Sequence, residues 1–243
     1  MDTKTDFGFS QVSPKKKTLE VKKVFSSVHR KYDLMNDLMS FGFHHLWKKF
    51  AVDLCRLKKD EMVLDLAGGT GDVTKALADV VGDQNLITTD INNNMLQFGR
   101  RKLLDYGVNA MTVQCDAQSI PFAEASFDCV TVAFGVRNMT DKAKALEEIY
   151  RVLKWGGKVV ILEFSNIWKP LEKIYDAYSF NFLPYLGEKI TGDKHSYKYL
   201  VESIRMHPNQ EKFQSMMEKS GFNIVDFFSI LVYVINTSII ALD

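Results

Sequence analysis

The run Met62-Val63-Leu64-Asp65-Leu66-Ala67-Gly68-Gly69-Thr70-Gly71-Asp72 decides the fold. Met62 to Leu66 is a short apolar run of strand length. It ends in a turn of small residues, and Thr74 to Val81 behind it has helical spacing. The chain downstream repeats the unit. Asn85 to Thr89 reads as a second strand, followed by a helix near Met95 to Leu104, and Ala110 to Gln114 and Cys129 to Phe134 read as a third and fourth. Lys142 to Leu153 carries Leu146, Ile149, Val152 and Leu153 on one helical face, and Gly156-Gly157 stops it before a fifth strand, Lys158 to Phe164. Strand–helix alternation implies parallel strands with right-handed crossovers, hence an α/β fold with a mostly parallel, doubly wound, Rossmann-like sheet.

Upstream, residues 1–17 read as a flexible arm. From Leu19 the apolar residues Val21, Val24, Phe25, Val28 and Tyr32 recur at helical spacing, and a second helical pattern runs from His45 to Leu54. Residues 18–55 are thus expected as N-terminal lid helices on a single domain, 18–243. Downstream, 165–220 breaks the rhythm as an aromatic-rich helical insertion facing substrate or membrane. Leu231 to Ile235 is a last, β-branched strand.

Composition sets bounds. A chain of 243 residues suits one α/β domain, and 46% hydrophobic with 25% charged residues is globular rather than disordered. Lys plus Arg number 31 against 30 Asp plus Glu, which supplies no electrostatic footprint for nucleic acid. Cys55, Cys115 and Cys129 are isolated, with no CxxC and no Cys/His cluster, so neither a zinc site nor a disulfide framework is indicated and a reducing cytoplasm fits. No metal is expected. The N-terminus lacks the pattern of a secretory signal, and no stretch reaches the ~20 apolar residues of a membrane span.

In a doubly wound sheet the ligand lies beyond the carboxyl ends of the strands. A dinucleotide fingerprint needs Gly or Ala where this chain has Thr74, and the Gly-Lys-Ser/Thr of a phosphate loop is absent. Asp65 and Asp72 at the turn suit a cation and would repel a pyrophosphate. S-adenosylmethionine, with a sulfonium, an ammonium and no phosphate, meets that requirement. Gly69 and Gly71 let the backbone approach it, Asp90 at the end of the second strand can accept from both ribose hydroxyls, and Asp116-Ala117 after the third is placed for the adenine. A strand-end Asp is also an ordinary helix cap; three in register on consecutive strands point to a ligand.

The pattern D-x-A-x-G-x-G resembles motif I of the class I methyltransferases, with Ala67 where the first Gly often stands. More specifically, KYDLMNDLMSFGFHHLWKK (31–49), VLDLAGGTGD (63–72), FGVRN (134–138), DAYSFNFLP (176–184) and YLVESIRMHPNQ (199–210) resemble the ubiquinone/menaquinone biosynthesis C-methyltransferases over nearly the whole chain. The resemblance implies carbon methylation of a polyprenylated quinol: demethylmenaquinol to menaquinol, and 2-polyprenyl-6-methoxy-1,4-benzoquinol to its 5-methyl form. It carries the family's cofactor contacts onto Thr70, Asp90, Asp116 and Ala117. It also implies one more contact, often a Ser, where this chain has Ala133.

A sulfonium is already activated, so the protein must align the displacement and favour a phenolate on the ring. Arg137, with Asn138 orienting, is the first candidate; the alternative is that Arg137 merely pairs with Asp141. Glu163 is a second proton acceptor of lower rank. Tyr32 and Asp33 stand where a lid would close, or Tyr32 only completes an apolar face. His44 and His45 flank Trp47 and read as structural. Arg205 and His207 either shape the ring pocket or cap a surface helix. A polyprenyl substrate implies peripheral contact with the inner face of the membrane, for which Lys15, Lys16, Lys17 and the aromatic stretch Tyr175 to Tyr185 are candidates, unless the latter is ordinary helix packing. A homo-oligomer or a quinone-biosynthesis complex is open to such a protein. After Phe227 the chain lacks the Gly-containing strand and basic aromatic tail usual in the family. That departure supports an alternative, a catalytically weak scaffold subunit that binds the cofactor.

Overall fold

The computed structural model describes residues 4–167, 169–223, 225–228 and 233–241. The first strand of the unit is β3 (Val63–Leu66), after a short N-terminal hairpin of β1 (Thr5–Phe7) and β2 (Ser10–Val12). β4 (Leu86–Asp90), β5 (Met111–Gln114), β6 (Phe127–Ala133), β7 (Leu153–Ile167), β8 (Asp226–Phe227) and β9 (Tyr233–Ala241) complete a seven-stranded sheet of order β5-β4-β3-β6-β7-β9-β8. β3 to β7 are parallel; β9 runs antiparallel to both β7 and β8. The order reverses between β3 and β6, and the turn at 67–71 sits there.

The sheet is buried on both faces, as a parallel sheet must be: all four residues of β3 are buried. α4 (Asp72–Val81), α5 (Asn93–Asp105) and α6 (Lys142–Val152) are its crossovers. β7 opens earlier than the glycine pair suggests. Leu153 already pairs with Phe127, and the register then breaks before Cys129 pairs with Lys158, so Gly156 (φ +73°) and Gly157 make a bulge within the strand rather than a stop before it.

The expected arm at 1–17 is corrected for its described part. Residues 5–12 form the β1–β2 hairpin and α1 (Pro14–Val28) begins at Pro14, where proline's fixed φ suits the first helical turn. Lys17 is buried, donating to Met139 O (3.0 Å), so it is not the solvated or membrane-facing cation read from the sequence. α2 (Tyr32–Ser40) and α3 (His44–Leu54) follow. α7 (Lys169–Ala177), a π-helical turn at Tyr178–Phe182, α8 (Leu183–Thr191), α9 (Lys194–Arg205) and α10 (Gln210–Lys219) make up the helical insertion. The final strand extends beyond the expected one, pairing with β7 from Ile167↔Tyr233 to Lys158↔Ala241; Leu231 and Val232, in the expected strand, lie outside the described residues.

Candidate active site

The turn after β3 is held from beneath by a helix. A Cβ on Gly99 of α5 would stand 2.5 Å from Gly69 O, so only glycine lets α5 pass so close. Gly71 (φ +83°) starts α4 and faces Leu103, lining neither cavity described below. Ala67 adopts φ +59°, a left-handed conformation that explains why glycine often stands at this position. Thr74, which argued against a dinucleotide, is buried and donates to Asp65 Oδ2 (2.6 Å).

Two cavities open on this turn. The larger, about 760 Å³ including its mouth, has Gly69, Asp90, Asp116, Ala117, Ala133 and Asn138 in its wall. α1 closes one side with Thr18, Val21, Lys22 and Phe25. The smaller, about 320 Å³, is bordered by Lys48, Asp65, Gly69, Thr70 and Asp72. Tyr32, Ala67, Gly69, Ala133 and Phe134 border both. The sequence left Tyr32 undecided between lid and apolar face; the structure puts its ring between the cavities. The size is that of a ligand pocket.

The carboxylates differ in what they can offer. Asp90 accepts from Gly69 N (3.1 Å) and Asn92 N (2.7 Å), and its burial, only partly offset by these bonds, raises its carboxyl to about 6. Asp116 Oδ1 accepts from Gln118 N and Nε2, both at 2.9 Å, which fixes the carboxylate in the wall. Asp65 is fully buried between Thr74 and Thr131, and burial raises it to about 6 despite those bonds. Asp72 overturns part of the charge reading. Lys48 (2.7 Å) and Lys102 (2.7 Å) both hold it, and they outweigh its burial to lower it well below the usual range. Its charge is therefore spent within the protein. Lys102 also holds Asp33 (2.6 Å), and Asp33 accepts from Thr70 Oγ1 (3.0 Å). The two lysines come from α3 and α5, 24 and 30 residues from Asp72, a separation no local pattern reveals.

The residues of this wall fit S-adenosylmethionine on their own chemistry. Acceptors stand at the ends of β4 and β5 for hydroxyls and an amine, and the backbone at Gly69 lies open to the cavity because α5 supports it from behind.

Arg137 is not in either cavity wall. Its side chain is buried and pairs with Glu163 (2.6 Å), not with Asp141, and it donates to Phe134 O (2.8 Å). Phe134 and Phe164 lie 6.0 and 5.3 Å from its guanidinium. Glu163 is equally buried and accepts from Arg137 N and Phe164 N as well, so it is occupied as a counter-ion. Asn138, by contrast, faces the larger cavity. His207 is buried beside Phe213 and outside both walls; Arg205 pairs with Asp176, tying α9 to α7.

His44 and His45 both reach Asp37 Oδ1 (3.0 and 3.1 Å), a spacing that metal ligands share. These two bonds tie α2 to α3 across their corner.

This sheet order with acceptors at the ends of β4 and β5 defines the class I S-adenosylmethionine-dependent methyltransferase fold. A SAM-dependent methyltransferase from Aquifex aeolicus superposes with TM-score 0.62 at 18% identity, over 90% of this chain and 98% of that one. The cyclase SpnF superposes with TM-score 0.63 at 16% identity, over 86% and 74%. At such identities the likeness concerns the fold alone. Sequence relatives go further. The model of the ubiE/COQ5 methyltransferase family matches residues 11–240. A ubiquinone/menaquinone biosynthesis C-methyltransferase of Ralstonia nicotianae is 53% identical over 96% of both chains, and one of Proteus mirabilis is 52% identical over 92% and 90%. The chain belongs to the ubiE/COQ5 methyltransferase family.

Proposed function

We propose that this enzyme methylates a ring carbon of polyprenylated quinols: demethylmenaquinol to menaquinol, and 2-polyprenyl-6-methoxy-1,4-benzoquinol to its 5-methyl derivative. Family membership at this identity supports the substrate class. The observation that carries the chemistry is Asn138, which borders the larger cavity together with Ala133 and Phe134.

When bound, S-adenosylmethionine supplies an activated methyl group. Asp90 would accept from the ribose, Asp116 and Ala117 would border the adenine, and Thr70, Gly69 and Asp65 would bound the amino-acid end. Ala133 contributes backbone and a small side chain, so a hydroxyl is not needed there. Asn138 donates to a quinol oxygen and stabilises the phenolate that makes the neighbouring carbon nucleophilic. As the methyl group joins that carbon its bond to the sulfonium sulfur breaks, leaving the neutral thioether, and the ring proton leaves to water as the ring regains aromaticity. Arg137 acts at one remove, holding Phe134 O and Glu163 so that the loop stays in place. The scaffold alternative rested on the C-terminus, and β9 fills its place in the sheet there.

The test is transfer of labelled methyl from S-adenosylmethionine to short-chain demethylmenaquinol and to the benzoquinol. Label on ring carbon is expected; cofactor binding with no transfer to either quinol overturns the reading.

Among the described residues no helix is long and apolar enough to cross a membrane. We place the enzyme in the cytoplasm against the inner membrane face, with an aromatic corner as the contact. Phe41 (63% exposed) and Phe182 (49% exposed) both stack on Tyr178, at 5.0 and 5.6 Å. Tyr175 and Tyr178 themselves bond to Met39 O and Leu38 O, so that half of the aromatic stretch is helix packing. Replacing Phe41 and Phe182 by Ser is expected to abolish sedimentation with anionic vesicles while leaving turnover of a water-soluble quinol unchanged. Undiminished sedimentation sinks this contact surface.

A further inference from the structure

We infer that Tyr199 is a positioning residue for methyl transfer, acting through Asn138, and that the N-terminal hairpin holds it in place through Phe7. The inference rests on the proposed role of Asn138 at the quinol oxygen.

An asparagine amide can be reversed without changing its shape, so its neighbours decide which end meets the substrate. Here two contacts decide. Asn138 Nδ2 donates to Phe134 O (3.2 Å), and Oδ1 accepts from the Tyr199 hydroxyl (3.0 Å). The reverse orientation would oppose two acceptors, Oδ1 and Phe134 O. Phe134 O therefore selects the orientation, and the Tyr199 hydroxyl, donating to Oδ1 from the other side, holds the amide in it so that the second N–H of Nδ2 remains for the cavity. Without that hydroxyl the amide keeps one long bond and turns more freely.

Tyr199 is suited to this by burial. It is 3% exposed on α9, and burial raises its phenol, so the hydroxyl stays protonated and can only donate to Oδ1. Its ring stacks on Phe7 of β1, centroids 4.3 Å apart and planes 18° from parallel. The hairpin is anchored on both sides of this stack. On α9, Phe9 N donates to Glu202 Oε2 (3.2 Å), and Gly8 (φ +56°) lies so close that any Cβ there would meet the same carboxylate. On the loop after Asn138, Thr5 Oγ1 donates to Thr140 O (3.1 Å) and Lys17 to Met139 O (3.0 Å). Residues 5–17 thus brace both the helix that bears Tyr199 and the loop that bears Asn138.

The test compares Tyr199→Phe, Asn138→Ala and the double variant for kcat, quinol KM and cofactor Kd. Tyr199→Phe is expected to lower kcat about tenfold, the rate equivalent of one oriented hydrogen bond, with KM and Kd within about twofold. In the Asn138→Ala background it should cost nothing further. Equal losses in both backgrounds, or an unchanged kcat in Tyr199→Phe while Asn138→Ala is impaired, overturn the positioning role alone. An unimpaired Asn138→Ala overturns the role of Asn138 and this inference with it. Should Tyr199→Phe fail to fold, Phe7→Leu reads the same coupling: a smaller fall in kcat, absent once Asn138 is Ala.

Discussion

Asp90 was legible in the sequence as the end of a strand about 20 residues past the glycines; its ionisation was not, because burial is a property of the assembled wall. Its carboxyl sits near 6 where the unfolded chain's is 3.8. The folded state then binds more protons than the unfolded one between those values. Stability from this group is present below the lower value and is lost as pH rises through the upper. Under the proposed function cofactor binding runs the other way, since ribose hydroxyls would donate to the ionised form. Affinity for S-adenosylmethionine, measured by calorimetry, should fall about tenfold from pH 7.5 to pH 5, and Asp90→Asn should remove most of that dependence. Gly99 makes a second residue-scale case. Gly99→Ala puts a methyl group 2.5 Å from Gly69 O, so the turn must move; cofactor affinity should drop at least about tenfold and the melting temperature should fall with it. Gly99 went unread because a helical glycine declares its purpose only when the turn beneath it is in view.

At the scale of elements, the strands and crossover helices were readable because their periodicity is local, whereas the ties between elements were not. Arg137 and Glu163 lie 26 residues apart, and nothing in either segment marks them as partners; the sequence offered Arg137 as a catalytic group, with pairing to Asp141 as the alternative. The hairpin at 5–12 escaped for a related reason: each strand is three residues long, and its ties to α9 and Thr140 join residues far apart in the chain. Lys102 links α5 to Asp33 of α2 and to Asp72 of α4, and so ties α2 to the turn after β3. Lys102→Met should leave both carboxylates short of a partner, lower stability by about 1–3 kcal/mol and speed amide exchange over residues 29–40. Unchanged exchange there would show that α2 is held by its apolar contacts instead.

For the molecule as a whole, the parallel core β5-β4-β3-β6-β7 ends at β7, and β9 extends it by pairing along most of β7's length. A chain cut after residue 228 would leave that edge unpaired, and is expected to be recovered in the insoluble fraction rather than as an inactive monomer. The β-branched run from Leu231 to Ile235 reads as a last strand, and β9 takes that place at the edge of β7 over its described residues; what the sequence could not give is the length of the pairing, which runs on to Ala241. The order in which these strands meet has a further consequence. β9 lies between β7 and β8 but is made after both, so on the ribosome β8 has no neighbour to join, and β7 presents a bare flank until β9 emerges. The sheet is therefore sealed by the last of its strands to be made. Slowed translation through β9 should lengthen the period in which nascent chains need a chaperone.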